Sequence, residues 1–263
     1  MLREHEEALY APDSPWLVRF NRRARPALRL FVFPFAGGSA MHYHRWPRLV
    51  PDEVDLVGIQ YPGRCSRLTE PGLTEFATLV EGARHAVEPL LDVDRIAFFG
   101  HSLGALVAFE LTRSLRAHGQ RQPDHLFLSA RGAPDSPATG SVPDTLSDAD
   151  LIRFLKRLGG TPDTMLNDAG VMAMILPGLR ADLEALTTWR PPAGDPLALP
   201  VTTLAGIDDH AFPPDSLAGW ARATTGPFAA RLFPGGHFYL TDHNEAALDV
   251  VLGAFGLSRS DPR

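Results

Sequence analysis

Ser102 lies in the pentad Gly100-His101-Ser102-Leu103-Gly104, and a serine becomes a nucleophile only when a neighbouring base takes its proton. Before the pentad stands Arg95-Ile96-Ala97-Phe98-Phe99, an apolar run of strand length. After it comes Ala105-Leu106-Val107-Ala108-Phe109-Glu110-Leu111, rich in helix formers. A serine between strand and helix sits on a sharp reversal that forces its φ positive and crowds its neighbours, which explains Gly100 and Gly104. The turn raises the hydroxyl above the sheet edge. It also brings the Leu103 N–H, at a helix N-terminus, to the same space as a donor for an oxyanion. The alternative is an ordinary strand-to-helix turn whose serine only caps the helix, and residues elsewhere bear on the choice.

Two loops late in the chain carry suitable partners. Val201-Thr202-Thr203-Leu204-Ala205 reads as a strand and runs into Gly206-Ile207-Asp208-Asp209-His210. Ala229-Ala230-Arg231-Leu232-Phe233 reads as the last strand and runs into Pro234-Gly235-Gly236-His237-Phe238. His237 is the expected base. Asp208 and Asp209 point different ways from their loop, only one can hold the imidazole Nδ1–H, and the residues alone leave the choice open. His210 is a decoy beside them, and His101, inside the elbow, cannot reach its neighbour's hydroxyl. An earlier buried strand from Leu28 runs into Phe35-Ala36-Gly37-Gly38-Ser39, where glycines suit a backbone that approaches a ligand. The Ala36 N–H is the expected second oxyanion donor, with Gly37 the alternative. Strand, serine elbow, helix, then acid and histidine on late loops is the order of the α/β-hydrolase fold.

The elements that must hold these residues follow the same scheme. Trp16 to Phe20 suggests an edge strand, Val54 to Gln60 a buried strand, and Asp124 to Ala130 another. Thr74 is placed to cap a helix whose apolar face carries Phe76, Val80, Ala83, Val87 and Leu90. Strands alternating with helices at this spacing predict a mostly parallel sheet flanked by helices. The rhythm breaks between about 135 and 195. Ser147-Asp148-Ala149-Asp150 opens a helix there that Gly159-Gly160 ends. A second helical stretch, Ala169 to Trp189, contains Pro177, expected to kink or split it. An all-helical insertion beside the catalytic edge predicts a lid, with Met165, Met172 and Met174 adding adaptable apolar surface. The expected organisation is one domain over 1–263, with core segments 1–134 and 196–263 around a helical lid at about 135–195. Leu248, Val251, Leu252 and Phe255 form the inner stripe of a closing helix.

Composition narrows the function classes. The 263 residues are 44% apolar and 21% charged with a net charge of −6, which suits a soluble enzyme and argues against a nucleic-acid surface. No apolar run approaches the roughly 18 residues of a membrane span. Met1 to Glu7 is acidic, without the apolar core of a signal peptide. The single cysteine, Cys65, excludes an internal disulfide framework and fits a reducing cytoplasm. No His, Cys and carboxylate group has metal-ligand spacing, so neither metal nor cofactor is expected. The basic cluster Arg19, Arg22, Arg23 and Arg25 reads first as a solvated face.

Several ordered segments beyond the pentad resemble the type II thioesterases of polyketide and nonribosomal peptide biosynthesis. They are Phe33-Pro34-Phe35-Ala36-Gly37-Gly38-Ser39-Ala40, Gln60-Tyr61-Pro62-Gly63-Arg64 continuing to Glu70-Pro71, Gly100 to Ala105, and Gly235-Gly236-His237-Phe238-Tyr239-Leu240. In that family the acid is the second Asp of Gly-Asp-x-Asp-Pro. Registering on Gly206 assigns it to Asp209, although Ile207 replaces the first Asp and His210 the proline. Cys65-Ser66 also departs from the commoner residues.

The resemblance implies a free-standing thioesterase with Ser102, Asp209 and His237 as its triad. It implies hydrolysis of acyl groups from the phosphopantetheine arm of acyl or peptidyl carrier protein domains, which clears stalled or aberrant units. The phosphopantetheine belongs to the substrate, so no cofactor of the enzyme's own is implied. A monomer is expected, and Arg19, Arg22, Arg23, Arg64 and Arg67 are candidate contacts for an acidic carrier. Competing readings are a general carboxylesterase or lipase, an assembly-line cyclase, and a non-catalytic carrier-binding homologue.

Overall fold

The computed structural model describes residues 14–136, 142–143, 145–191 and 194–260. The reading of Met1 to Glu7 lies outside them. The described strands are β1 (Leu17–Asn21), β2 (Leu28–Phe33), β3 (Val54–Ile59), β4 (Ile96–His101), β5 (His125–Ser129), β6 (Val201–Gly206) and β7 (Phe228–Phe233). The helices are α1 (Phe76–Val87), α2 (Leu103–Ala117), α3 (Asp148–Leu158), α4 (Asp163–Leu166), α5 (Ala169–Thr188) and α6 (Leu240–Gly253).

The strands form one sheet in the order β1-β3-β2-β4-β5-β6-β7. Edge strand β1 is antiparallel and the rest are parallel. β2, β3 and β4 are buried along their whole length, as a parallel sheet covered on both faces requires. Successive side chains take opposite faces. Phe31, Phe33 and Phe98 pack in one cluster with α1 and α2. Leu30, Val32 and Phe99 pack in another with Tyr43, Trp46 and α6.

Strand register brings the functional loops together in pairs. Phe33 lies opposite Gly100, so the loop after β2 and the elbow after β4 leave the sheet side by side. Gly206 lies opposite Phe233, which does the same for the loops carrying Asp209 and His237. The chain reverses its lateral direction between β2 and β4, and ligands of open parallel sheets bind at the carboxyl ends of strands where that happens.

Three helices, α3 to α5, occupy the described part of the insertion and bury an apolar cluster of their own around Leu151, Phe154, Leu155, Leu176, Leu179 and Leu183. Ser147 caps α3, its Oγ accepting from the Asp150 N–H at 3.3 Å, and Gly159 ends it at φ 75°. The structure corrects one local expectation, at Thr74, and narrows others. Thr74 does not cap α1: the N-cap is Glu75, without a side-chain bond, and the Phe76 N–H donates to Thr188 Oγ1 at 3.0 Å. A hydroxyl from α5 has taken over the cap. Pro177 does not split α5, which continues through it as one helix. Met165 and Met174 are exposed, and only Met172 is buried. Phe255 lies just past the end of α6.

Candidate active site

Ser102 holds φ 56° and ψ −114°, a conformation that costs a non-glycine residue about 1–3 kcal/mol. The surrounding backbone enforces it. A Cβ on Gly100 would stand 2.1 Å from the Gly104 carbonyl oxygen, and a Cβ on Gly104 would stand 2.1 Å from that of Phe33. Both glycines are therefore required by space. The Ser102 N–H is tied to the Ser129 carbonyl at 2.8 Å, which leaves the side chain facing the pocket above the sheet. Leu103 is the first residue of α2, so its N–H is one of the unpaired donors at a helix start.

The acid and base meet as a buried pair. His237 Nδ1 donates to Asp209 Oδ2 at 2.8 Å, and the two residues are 4% and 2% exposed. The other carboxylate oxygen, Oδ1, accepts from the N–H groups of Ala211 at 2.9 Å and Phe212 at 3.1 Å. Three donors thus fix the carboxylate. Placing the proton on Nδ1 leaves Nε2 as the free acceptor of the ring. Asp208 and His210 both point into solvent, so the choice left open between neighbouring aspartates falls geometrically on Asp209. The substitutions at Ile207 and His210 do not disturb this, because Ile207 is exposed and the turn is held by backbone bonds to Phe233 and Gly235.

The loop after β2 is a tight turn. The Gly38 N–H donates to the Phe35 carbonyl at 2.9 Å and Gly37 holds φ 75°, the signature of a type II turn with Ala36 at its second position. The Gly37 N–H, considered as an alternative oxyanion donor, is occupied: it donates to Asp182 Oδ2 of α5 at 2.7 Å. Ala36 lines the same pocket as Ser102 and His237, and its N–H meets no acceptor among the described residues.

Asp182 also receives a bidentate guanidinium, with Arg64 Nη1 on Oδ2 at 2.5 Å and Nη2 on Oδ1 at 2.7 Å. Burial lowers the affinity of Arg64 for its proton, yet the Asp182 carboxylate outweighs burial and the pKa ends above its ordinary value. Arg64 and Arg67 are each 6% exposed, and Arg67 forks onto Glu70 at 2.9 and 2.6 Å. Neither can meet a carrier protein, contrary to expectation, because both hold the Gln60-to-Pro71 segment together. Arg19 is likewise buried against Asp55 at 2.6 Å, whereas Arg23 stays partly exposed in a surface ion pair with Asp52 at 2.8 Å.

Two residues of the site escape a reading by motif. Asp182 announces itself only as a charge beside the apolar stripe Leu176, Leu179, Leu183 and Leu186 of α5. Arg131, just after β5, is 9% exposed and lines the Ser102 pocket. Its guanidinium stacks 4.7 Å from the Phe212 ring centre and forms no ion pair among the described residues, and burial lowers its pKa to about 10. The rest of the pocket wall is apolar, with Phe154, Leu155 and Leu158 from α3 and Leu183 and Leu186 from α5. A second, more polar cavity also reaches His237 and is lined by Lys156, Arg157, Asp208 and His210.

A serine elbow and a buried Asp–His pair at the carboxyl edge of a parallel sheet define a serine hydrolase of the α/β-hydrolase fold. The chain belongs to the thioesterase domain family, whose profile matches residues 28–254. It is 37% identical to the gramicidin S biosynthesis protein GrsT of Aneurinibacillus migulanus over 90% of this chain and 93% of that protein. It is 41% identical to thioesterase PikA5 of Streptomyces venezuelae over 90% and 84% of the two chains. Among solved structures, the type II thioesterase BorB of the borrelidin cluster superposes with a TM-score of 0.82 at 33% identity, covering 93% of this chain and 99% of BorB. The RedJ thioesterase of the prodiginine pathway in Streptomyces coelicolor gives 0.78 at 34% identity, covering 97% and 95%. The resemblance read from the motifs is thus a family membership.

Proposed function

We propose that this thioesterase hydrolyses acyl groups from the phosphopantetheine thiol of carrier proteins through an acyl-Ser102 intermediate. The observation that carries the reading is the buried Asp209–His237 hydrogen bond, with His237 lining the pocket that holds Ser102. His237 Nε2 takes the Ser102 proton as Oγ attacks the thioester carbonyl. The negative oxygen is received by the N–H groups of Leu103 and Ala36, a contribution of about 3–4 kcal/mol per donor in a comparable hydrolase. The collapsing adduct expels the pantetheine thiolate, which takes the proton from His237. Water, activated by the same imidazole, then frees the acid and restores Ser102. Asp209 keeps the imidazole in the working tautomer and stabilises its cation.

The two cavities support a division of the substrate. The acyl chain occupies the apolar pocket under α3 and α5. The pantetheine arm enters along the polar cavity, where Lys156 and Arg157 face an acidic carrier. These two replace the arginines that are buried in ion pairs. The helical insertion acts as the lid, with α3 as its movable part.

The test is release of free acid from a panel of acyl-carrier protein thioesters of graded chain length, with matched oxoesters alongside. Preference for the carrier-bound thioesters is expected. Equal turnover of simple oxoesters would favour a general carboxylesterase instead.

A further inference from the structure

The loop that carries Ala36 does not hold its own shape. Its central peptide joins the Ala36 carbonyl to the Gly37 N–H, and in a four-residue turn that unit can flip between two states. One needs φ positive at the third residue and the other does not. Gly37, lacking a side chain, tolerates both. Gly37 is at 75° with its N–H on Asp182 Oδ2 at 2.7 Å. A carboxylate at that spot accepts an N–H and repels a carbonyl oxygen, so it selects one of the two states. Arg64 completes the grip from the other polar side, its Nη1 donating to the Gly38 carbonyl at 3.2 Å while bound to the same carboxylate oxygen. Asp182 is 1% exposed, and such a charge is retained in a protein interior only when fully paired. Leu179, one turn earlier on α5, lies against the loop as well: a Cβ on Gly37 would stand 3.2 Å from its Cβ.

We propose that Asp182, held by Arg64, is a positioning residue that fixes the turn after β2 so that the Ala36 N–H faces the carbonyl attacked by Ser102. The proposal rests on the assignment of Ala36 as an oxyanion donor. It adds that the donor is set from α5, a helix distant in sequence, and that Arg64 serves the reaction without touching substrate. Electrostatic stabilisation of an oxyanion acts through a donor already aligned when charge develops. A loosened loop therefore lowers kcat and leaves ground-state binding intact.

The experiment compares the wild type with Arg64→Met/Asp182→Leu, in which a buried ion pair is exchanged for apolar side chains of similar volume. Such exchanges commonly preserve or raise stability. With melting temperature retained, the expected result is kcat for a small acyl thioester lower by about 10²-fold, the scale of one lost oxyanion donor, and KM within about threefold. Affinity for an alkyl trifluoromethyl ketone, whose carbonyl carbon bonds to Ser102 Oγ to give a tetrahedral oxyanion, should fall in parallel with kcat. Asp182→Asn, of the same shape, is the second variant and should show the same split between kcat and KM. Ala36→Pro deletes only the donor at a turn position that accepts proline. It should be slow in the wild-type background and add little to the double variant. A folded double variant and Asp182→Asn that both keep wild-type kcat, while Ala36→Pro is slow, would overturn the positioning role and spare the donor. Wild-type kcat in Ala36→Pro would overturn the donor assignment and the proposal with it.

Discussion

Asp208 and Asp209 differ by one position in the chain and by almost everything in surroundings. One faces water. The other accepts three hydrogen bonds inside the protein, one of them from the His237 imidazole. Asp209→Asn should hold the imidazole in the wrong tautomer and lower kcat by about 10⁴-fold, the scale seen for the equivalent change in a well-studied triad. Asp208→Asn should stay within about twofold. Steady-state kinetics on a small acyl thioester checks both, and a large loss at Asp208 with none at Asp209 would assign the acid wrongly. Ser102, His237 and the two glycines of the elbow were legible in the chain because a reversal of this sharpness admits few residue types. The choice between adjacent aspartates was legible only through the family resemblance, since the residues alone do not show which way a loop turns. Arg64 was legible as a motif residue but misread as a docking charge, because its partner lies 118 positions away in α5.

The helices of the insertion are not equivalent. α5 is fastened to the core by polar contacts along its second half: Asp182 to the β2 loop and Arg64, Thr188 Oγ1 to the start of α1, and Trp189 Nε1 just beyond it to Glu110 of α2 at 3.0 Å. α3 packs its apolar face on α5 and is tied to that helix, not to the sheet, at its start, where Arg180 bonds the Leu146 carbonyl at 2.9 Å and the Asp148 carboxylate. The sequence pattern located both α3 and α5. It carries no information on which of them is anchored, since the anchors come from distant residues. The substrate preference should accordingly be tunable from α3. Phe154→Ala and Leu158→Ala enlarge the pocket wall. They should raise kcat/KM for long acyl chains relative to short ones by about fivefold or more, within the 1–3 kcal/mol that pocket methylenes command. An unchanged chain-length profile would place the acyl chain elsewhere. At the elbow, Gly100→Ala drives a Cβ into the Gly104 carbonyl. A loss above about 3 kcal/mol in chemical denaturation is expected, as for other steric conflicts in a core.

Across the whole molecule, the buried His101 and the half-buried His125 are expected to weaken the fold in acid. His101 is 1% exposed, with Nδ1 against Ser129 Oγ at 2.9 Å. Burial, reinforced by the neighbouring His237, holds its pKa well below the ordinary imidazole value. Burial likewise lowers His125 to about 4. Once unfolded, both recover values near 6.5, so below that pH the unfolded chain binds protons that the folded one refuses. Stability from this source is complete above about pH 6.5 and is lost as the pH falls toward 4. Melting temperature should drop across that interval, and His101→Asn should show a shallower slope; a flat profile in the wild type would contradict it. Carrier recognition also belongs to this scale. Lys156→Ala/Arg157→Ala should raise KM for carrier-bound thioesters several-fold at low salt and leave small thioesters unaffected, because exposed charges act over about 10 Å at 0.1 M salt. Equal effects on both substrates would point to damage in α3.

In the proposed reaction, Ser102 carries the acyl group from a carrier thioester to water. Rapid quenching of the protein during turnover of an acyl-carrier protein, followed by mass analysis of its peptides, tests this most directly. An acyl ester is expected on the peptide containing Ser102. Ser102→Ala, folded and with an unchanged melting temperature, should form none and release free acid at least about 10⁴-fold more slowly. An acyl group on any other residue, or turnover by Ser102→Ala within about tenfold of the wild type, would contradict it.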